Sequence, residues 1–165
     1  MRRRILGSIA ITFAMLSLGM IGQSADPLLK VSIAAIPGAT CSHGAIPLKL
    51  TFENVSAKKI RILDAFHEPK ALPVFFQFEM KASDGTPIPI AGAGKIDFSK
   101  DSLHYVQLAK GQKYEVMLNL ADIIPPDEKL KEGVYGVSLT YYNQYGENCF
   151  QGKVTSNLIQ LHIRN

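Results

Sequence analysis

No stretch of the sequence repeats its apolar residues with a helical period over a window of about eleven positions. Charge is sparse, at 19% Asp, Glu, Lys and Arg, and cysteine occurs only twice in 165 residues. No CxxC or HxxxH spacing, no GxSxG and no phosphate-cradling glycine pattern is present; Ala91-Gly92-Ala93-Gly94 lacks that spacing and reads as a loop. With 47% hydrophobic residues, 13 Gly and 9 Pro, the composition is that of a globular protein. Together these features exclude a wholly disordered chain, a collagen, a coiled coil and a polytopic membrane protein. The length suits one compact domain.

The first 25 residues differ from the rest. Arg2, Arg3 and Arg4 precede an uncharged stretch that ends in small residues, Gly22, Ser24 and Ala25. This order of basic, apolar and small residues reads as a secretory signal peptide over residues 1–25. The apolar run from Ile5 to Ile21 lies at the short edge of what spans a bilayer (~20 residues), so a retained anchor is the alternative; once the segment is cleaved off, no stable membrane insertion is expected. No cysteine near the cleavage region offers a lipid attachment point. Without the three leader arginines, 18 Lys and Arg fall to 15 against 14 Asp and Glu, and the formal charge of +4 becomes +1. The densest basic spot left, Lys58, Lys59 and Arg61, suits a solvated turn and leaves no footprint for nucleic acid. The expected location is periplasmic or secreted.

Residues 26–165 show short runs of alternating hydrophobicity separated by turn residues, the signature of half-buried strands. Leu29, Val31 and Ile33 form the first run. Leu48, Leu50 and Phe52 form the second, and Ile60 and Ile62 a short third. After a connecting segment at 64–73, Val74, Phe76, Phe78 and Met80 are expected on one face and Phe75, Gln77 and Glu79 on the other. Phe75 and Phe76 would then be one core ring and one exposed ring. Ser83-Asp84-Gly85-Thr86 is a hairpin signal, and Pro87 and Pro89 place the return arm at an edge. Further runs are 103–108, 114–120, 135–141 and 158–163, with a helical turn at 121–124 before Pro125 and Pro126. At least seven strands on a single domain point to an antiparallel sandwich or barrel.

The spacing Leu108-x-x-Gly111, Leu118-x-Leu120, Leu130-x-x-Gly133-x-Tyr135, Tyr141-Tyr142-Asn143 and Phe150-x-Gly152-x-Val154-x-Ser156-Asn157 resembles the C-terminal part of immunoglobulin-like domains of exported bacterial proteins. Upstream, Leu50-Thr51-Phe52-Glu53-Asn54-x-Ser56 resembles a strand of the same domains that ends in Asn-x-Ser. The resemblance implies a single antiparallel immunoglobulin-like β-sandwich of seven to nine strands over residues 26–165. It also implies that Gly133 and Tyr135 form a tyrosine corner, with the ring in the core and the hydroxyl bonded upstream. Tryptophan, the core ring of antibody domains, is absent. Some similar sandwiches are proteinase inhibitors.

In an exported protein, two lone cysteines, Cys41 and Cys149, are a natural disulfide pair. Buried free thiols are the alternative, as is a metal pair built on Cys41 and His43. In immunoglobulin order the two cysteines fall at opposite ends of the sandwich, which is in tension with the ~7 Å limit between bridged Cα atoms. No nucleophile context accompanies His43, His67, His104 or His162, and the acidic residues are scattered. No catalytic residue, metal site or cofactor is therefore assigned. Asn54-Val55-Ser56 matches a glycosylation sequon but reads as a turn. Tyr142, Tyr145 and Phe150 gather around one loop and form the candidate binding surface. The reading is a non-enzymatic module that holds a protein or glycan of the cell envelope. A peptidase inhibitor and a periplasmic metal-handling protein are its rivals.

Overall fold

The computed structural model describes residues 28–64, 72–92, 104–146 and 148–164. Residues 1–25, where a signal peptide is expected, His67 and most of the segment after Asp64 lie outside them. Among the described residues no helix is long and apolar enough to cross a membrane. The described residues are mostly antiparallel β-sheet, with one helical turn and one 3-10 turn among them.

Alternation places the strands. β1 (Leu29–Ala35) pairs with β2 (Pro47–Asn54), and β2 pairs with β6 (Lys113–Asn119), all antiparallel. The register sets Val31 opposite Phe52, Ile33 opposite Leu50, and Leu50 opposite Val116, so the apolar sets of three strands share one face. A second sheet centres on β7 (Gly133–Asn143), which buries Tyr135, Val137, Leu139 and Tyr141. One side of β7 carries β4 (Phe76–Ala82). The other side carries β8 (Gly152–Thr155) opposite its C-terminal end and β9 (Ile159–Ile163) opposite its N-terminal end. A pair formed by β3 (Ile60–Asp64) and β5 (His104–Leu108) completes the structure. The two larger sheets meet through their aromatic rings: Phe52 lies 5.1 Å from Tyr141, edge to face, and 6.3 Å from Phe76.

β8 and β9 are one path broken at 156–158. The break is filled by side chains. Ser156 exchanges bonds with Leu139, its N–H donating to the Leu139 carbonyl and its hydroxyl accepting from the Leu139 N–H. The Asn157 amide reaches the other sheet: its Oδ1 accepts from Ile33 N at 2.9 Å and its Nδ2 donates to Ile33 O at 3.0 Å. One side-chain amide thus stands in for a peptide unit and ties β1 to the edge of the second sheet.

Two strands end in buried asparagines that organise the following loop. Asn54 donates from Nδ2 to the carbonyls of Lys58 and Leu108 and accepts at Oδ1 from Ser56 N and Ser56 Oγ. Asn143 donates to the carbonyls of Tyr145 and Phe150 and accepts from Tyr145 N. Both are almost fully buried. An amide with two donors and an acceptor can satisfy a turn from inside, where leaving backbone groups unpaired would be costly. Asn54 is consumed by this task, consistent with a turn at the sequon.

Two expectations are corrected. Phe75 is fully buried, and Phe76 is buried too. Leu72–Phe75 is a helical turn (α1), so strand alternation starts only at Phe76 and neither ring is exposed. The disulfide is also absent: Cys41 and Cys149 are both free. Cys41 bridges to Ile163, which pairs with Gly133 at the start of β7. Cys149 follows Asn143 at its end. The 11 residues of β7 separate them, about 33 Å at ~3.3 Å per residue, far beyond bridging distance.

Candidate functional site

The outward members of the second sheet form the candidate site. Register sets Gln77 beside Thr140, Thr140 beside Thr155, and Tyr142 beside Lys153. These residues come from alternate positions on β4, β7 and β8, which strand pleating sends to the face away from the core. With Val74 and Ile90 at one side, Gln77, Thr140, Tyr142 and Lys153 line a groove of about 320 Å³. Val74 belongs to α1, and Ile90 to the return arm after the Asp84-Gly85 hairpin. That hairpin closes by Gly85 N donating to Ala82 O and Thr86 N donating to the Asp84 carboxylate.

Inside the groove the Lys153 Nζ stands 5.0 Å from the centre of the Tyr142 ring, a cation–π distance. The hydroxyls of Thr140 and Thr155 are 3.0 Å apart. No carboxylate of the described residues pairs with Lys153. The nearest acid in the same row of β4, Glu79, is engaged by Lys81 at 3.8 Å. The backbone groups of β7 are taken up by β4 on one side and β8 on the other, so any ligand over this strand meets side chains. The groove can therefore supply a ring, an amide, hydroxyls and one ammonium.

The three residues of the proposed aromatic surface separate. Tyr142 is on the outer face. Phe150 turns toward the core and stacks on Tyr141 at 6.1 Å, because Tyr141 occupies the inward position of β7. Tyr145 is exposed and leans edge-on against Phe75 at 6.1 Å. Lys153, Gln77 and Thr140 join Tyr142 instead. Alternation marks each of them as outward, but only the strand register brings them together.

Gly133 opens β7. The Tyr135 ring is buried, and its hydroxyl donates to the Lys131 carbonyl at 2.9 Å. Around Cys149, Gly146 has a φ of +86°, and a β-carbon there would lie 2.8 Å from the Cys149 sulfur, so only glycine closes this turn. Burial pushes the Cys149 thiol up despite the pull of Arg61, whose guanidinium lies 3.7 Å over the Tyr105 ring. Burial alone pushes Cys41 up. Both thiols are thereby held away from the reactive thiolate form. His43 accepts a long bond from Leu130 N at 3.4 Å, while His104 and His162 are exposed. Among the described residues no three His, Cys, Asp or Glu side chains gather as metal ligands.

Tyr114 and Tyr141 are the phenols most displaced, both upward. Tyr114 is raised by burial and by its 2.7 Å bond to Asp64, and Tyr141 by burial. Neither faces the groove. No protein-family model matches the chain, and no curated protein matches it in sequence.

Proposed function

We propose that the chain is an exported, non-enzymatic binding module of the cell envelope, an immunoglobulin-like β-sandwich that holds its partner on the outer face of β4, β7 and β8. The groove beside Tyr142 carries the proposal. There an aromatic ring, neutral hydrogen-bonding side chains and a cation with no carboxylate of the described residues beside it stand together on one sheet face.

The pairing pattern supports the fold. Orders β1-β2-β6 and β4-β7-β9 correspond to the A-B-E and C-F-G strands of immunoglobulin-like domains. The parallel bridge from Cys41 to Ile163 corresponds to a first strand that leaves its own sheet for the last strand of the other. The Tyr135 bond to Lys131 fits a tyrosine corner. The basic, apolar and small-residue order of residues 1–25 supports export.

Two measurements test the reading. Mass analysis of the protein recovered from the periplasm or medium should show a chain lacking about 25 N-terminal residues; an intact chain retained in the cytoplasm overturns export. Amide chemical shifts are then followed while separated protein and glycan fractions of the envelope are added. Changes centred on Gln77, Thr140, Tyr142 and Lys153, removed by Tyr142→Ala, are expected. Changes centred on β1, β2 and β6, or indifferent to Tyr142→Ala, overturn the site.

A further inference from the structure

Resting on that binding face, we infer that the groove takes an acidic glycan, a sugar polymer whose units carry carboxylates. Charge is the first argument. Among the described residues lining the groove Lys153 is the single charged one, and its ammonium meets an aromatic ring with no carboxylate of the described residues beside it. Glu79 and Lys81 answer each other on β4, beyond β7, so among the described residues Lys153 sets the sign of the groove. An anionic ligand is the complement of that charge.

Geometry is the second. An extended peptide draws much of its affinity from backbone bonds to an open strand. Over β7 those groups are taken by β4 and β8, and the face offers side chains alone. The set present suits a uronic sugar: an apolar C–H face for the Tyr142 ring, hydroxyls for the Gln77 amide and the Thr140 hydroxyl, and a carboxylate for Lys153. Because register sets Tyr142 directly beside Lys153 and Gln77 directly beside Thr140, one sugar ring can meet its partners without any strand moving.

The test follows amide shifts of the folded protein on adding oligogalacturonate, alginate and hyaluronate oligomers. Methyl-esterified oligogalacturonate and oligoglutamate serve as controls. At least one acidic oligosaccharide should shift Gln77, Thr140, Tyr142 and Lys153. Tyr142→Ala and Lys153→Gln should each weaken that binding by about tenfold, while Tyr142→Phe keeps most of it. Raising the salt should weaken the wild type more than Lys153→Gln. The inference is overturned if none of the three shifts these residues, if the methyl ester binds as well as the acid, or if oligoglutamate binds equally. Should envelope fractions still move Tyr142 while the acidic sugars do not, the binding face stands and the glycan assignment falls.

Discussion

The outer faces of the two larger sheets follow the same alternation and reach opposite ends. On β2 and β6 the outward residues neutralise one another across the strands: Lys49 pairs with Glu115 at 3.0 Å, and Lys113 with Glu53 at 3.8 Å. On β4, β7 and β8 the outward residues are mostly neutral, and Lys153, the one cation among the described residues of the groove, stands beside a tyrosine with no described carboxylate paired to it. A face whose charges are already answered has little to offer a ligand, while one with an unanswered charge and a ring can select. The core beneath does not distinguish them, since rings from both sheets pack together.

That shared core is the strongest place to strike. Phe52→Ala should cost about 3–5 kcal/mol in urea unfolding and disturb both faces alike; loss confined to one face would mean that the sheets do not share a core. Next come the buried asparagines. Asn143→Ala strands the carbonyls of Tyr145 and Phe150, and Asn54→Ala strands those of Lys58 and Leu108, each costing about 2–3 kcal/mol. Amide exchange should rise around 144–151 for the first and 55–59 for the second. Only the Asn143 variant should blunt shift changes in the groove.

Alkali gives a smaller effect common to both sheets. Tyr114 on β6 and Tyr141 on β7 have folded pKa values above the ordinary phenol value of 10.0. Their stabilising contribution is complete below that value and is lost as pH rises beyond it, because the unfolded chain ionises first. Unfolding followed from pH 9 upward, at about the phenol range, should show stability falling, and Tyr141→Phe should flatten the fall. The smallest effects separate the faces most sharply. Glu115→Gln and Lys153→Gln should each change stability by less than about 0.5 kcal/mol, yet only Lys153→Gln should change ligand binding.

Alternation made most strands legible in the sequence, because it is a local consequence of pleating. Phe75 was not legible: its neighbours continue a strand-like pattern, and the helical turn at 72–75 breaks the phase at the last residue before β4. β8 was hard to see because it is four residues long and leans on β7 for its partner. Tyr142 could be singled out from its loop, but its companions could not. Gln77 and Lys153 lie far apart in the chain and join it only through the register of three strands. The cysteines failed for the converse reason. Compartment chemistry suggested a pair, whereas topology, which sets where the chain ends up, put β7 between them.

Asn157 has a mechanical consequence. Ile33 meets Asn157, and Cys41 meets Ile163 and Arg164, so β1 and the last strand run in the same direction. Tension applied to Leu28 and Arg164 would slide these segments past each other. The two Asn157 bonds and the Arg164 N–H bond to Cys41 O would then bear load together instead of parting in turn. Under pulling, this seam is loaded in shear, the geometry in which a few short bonds resist most.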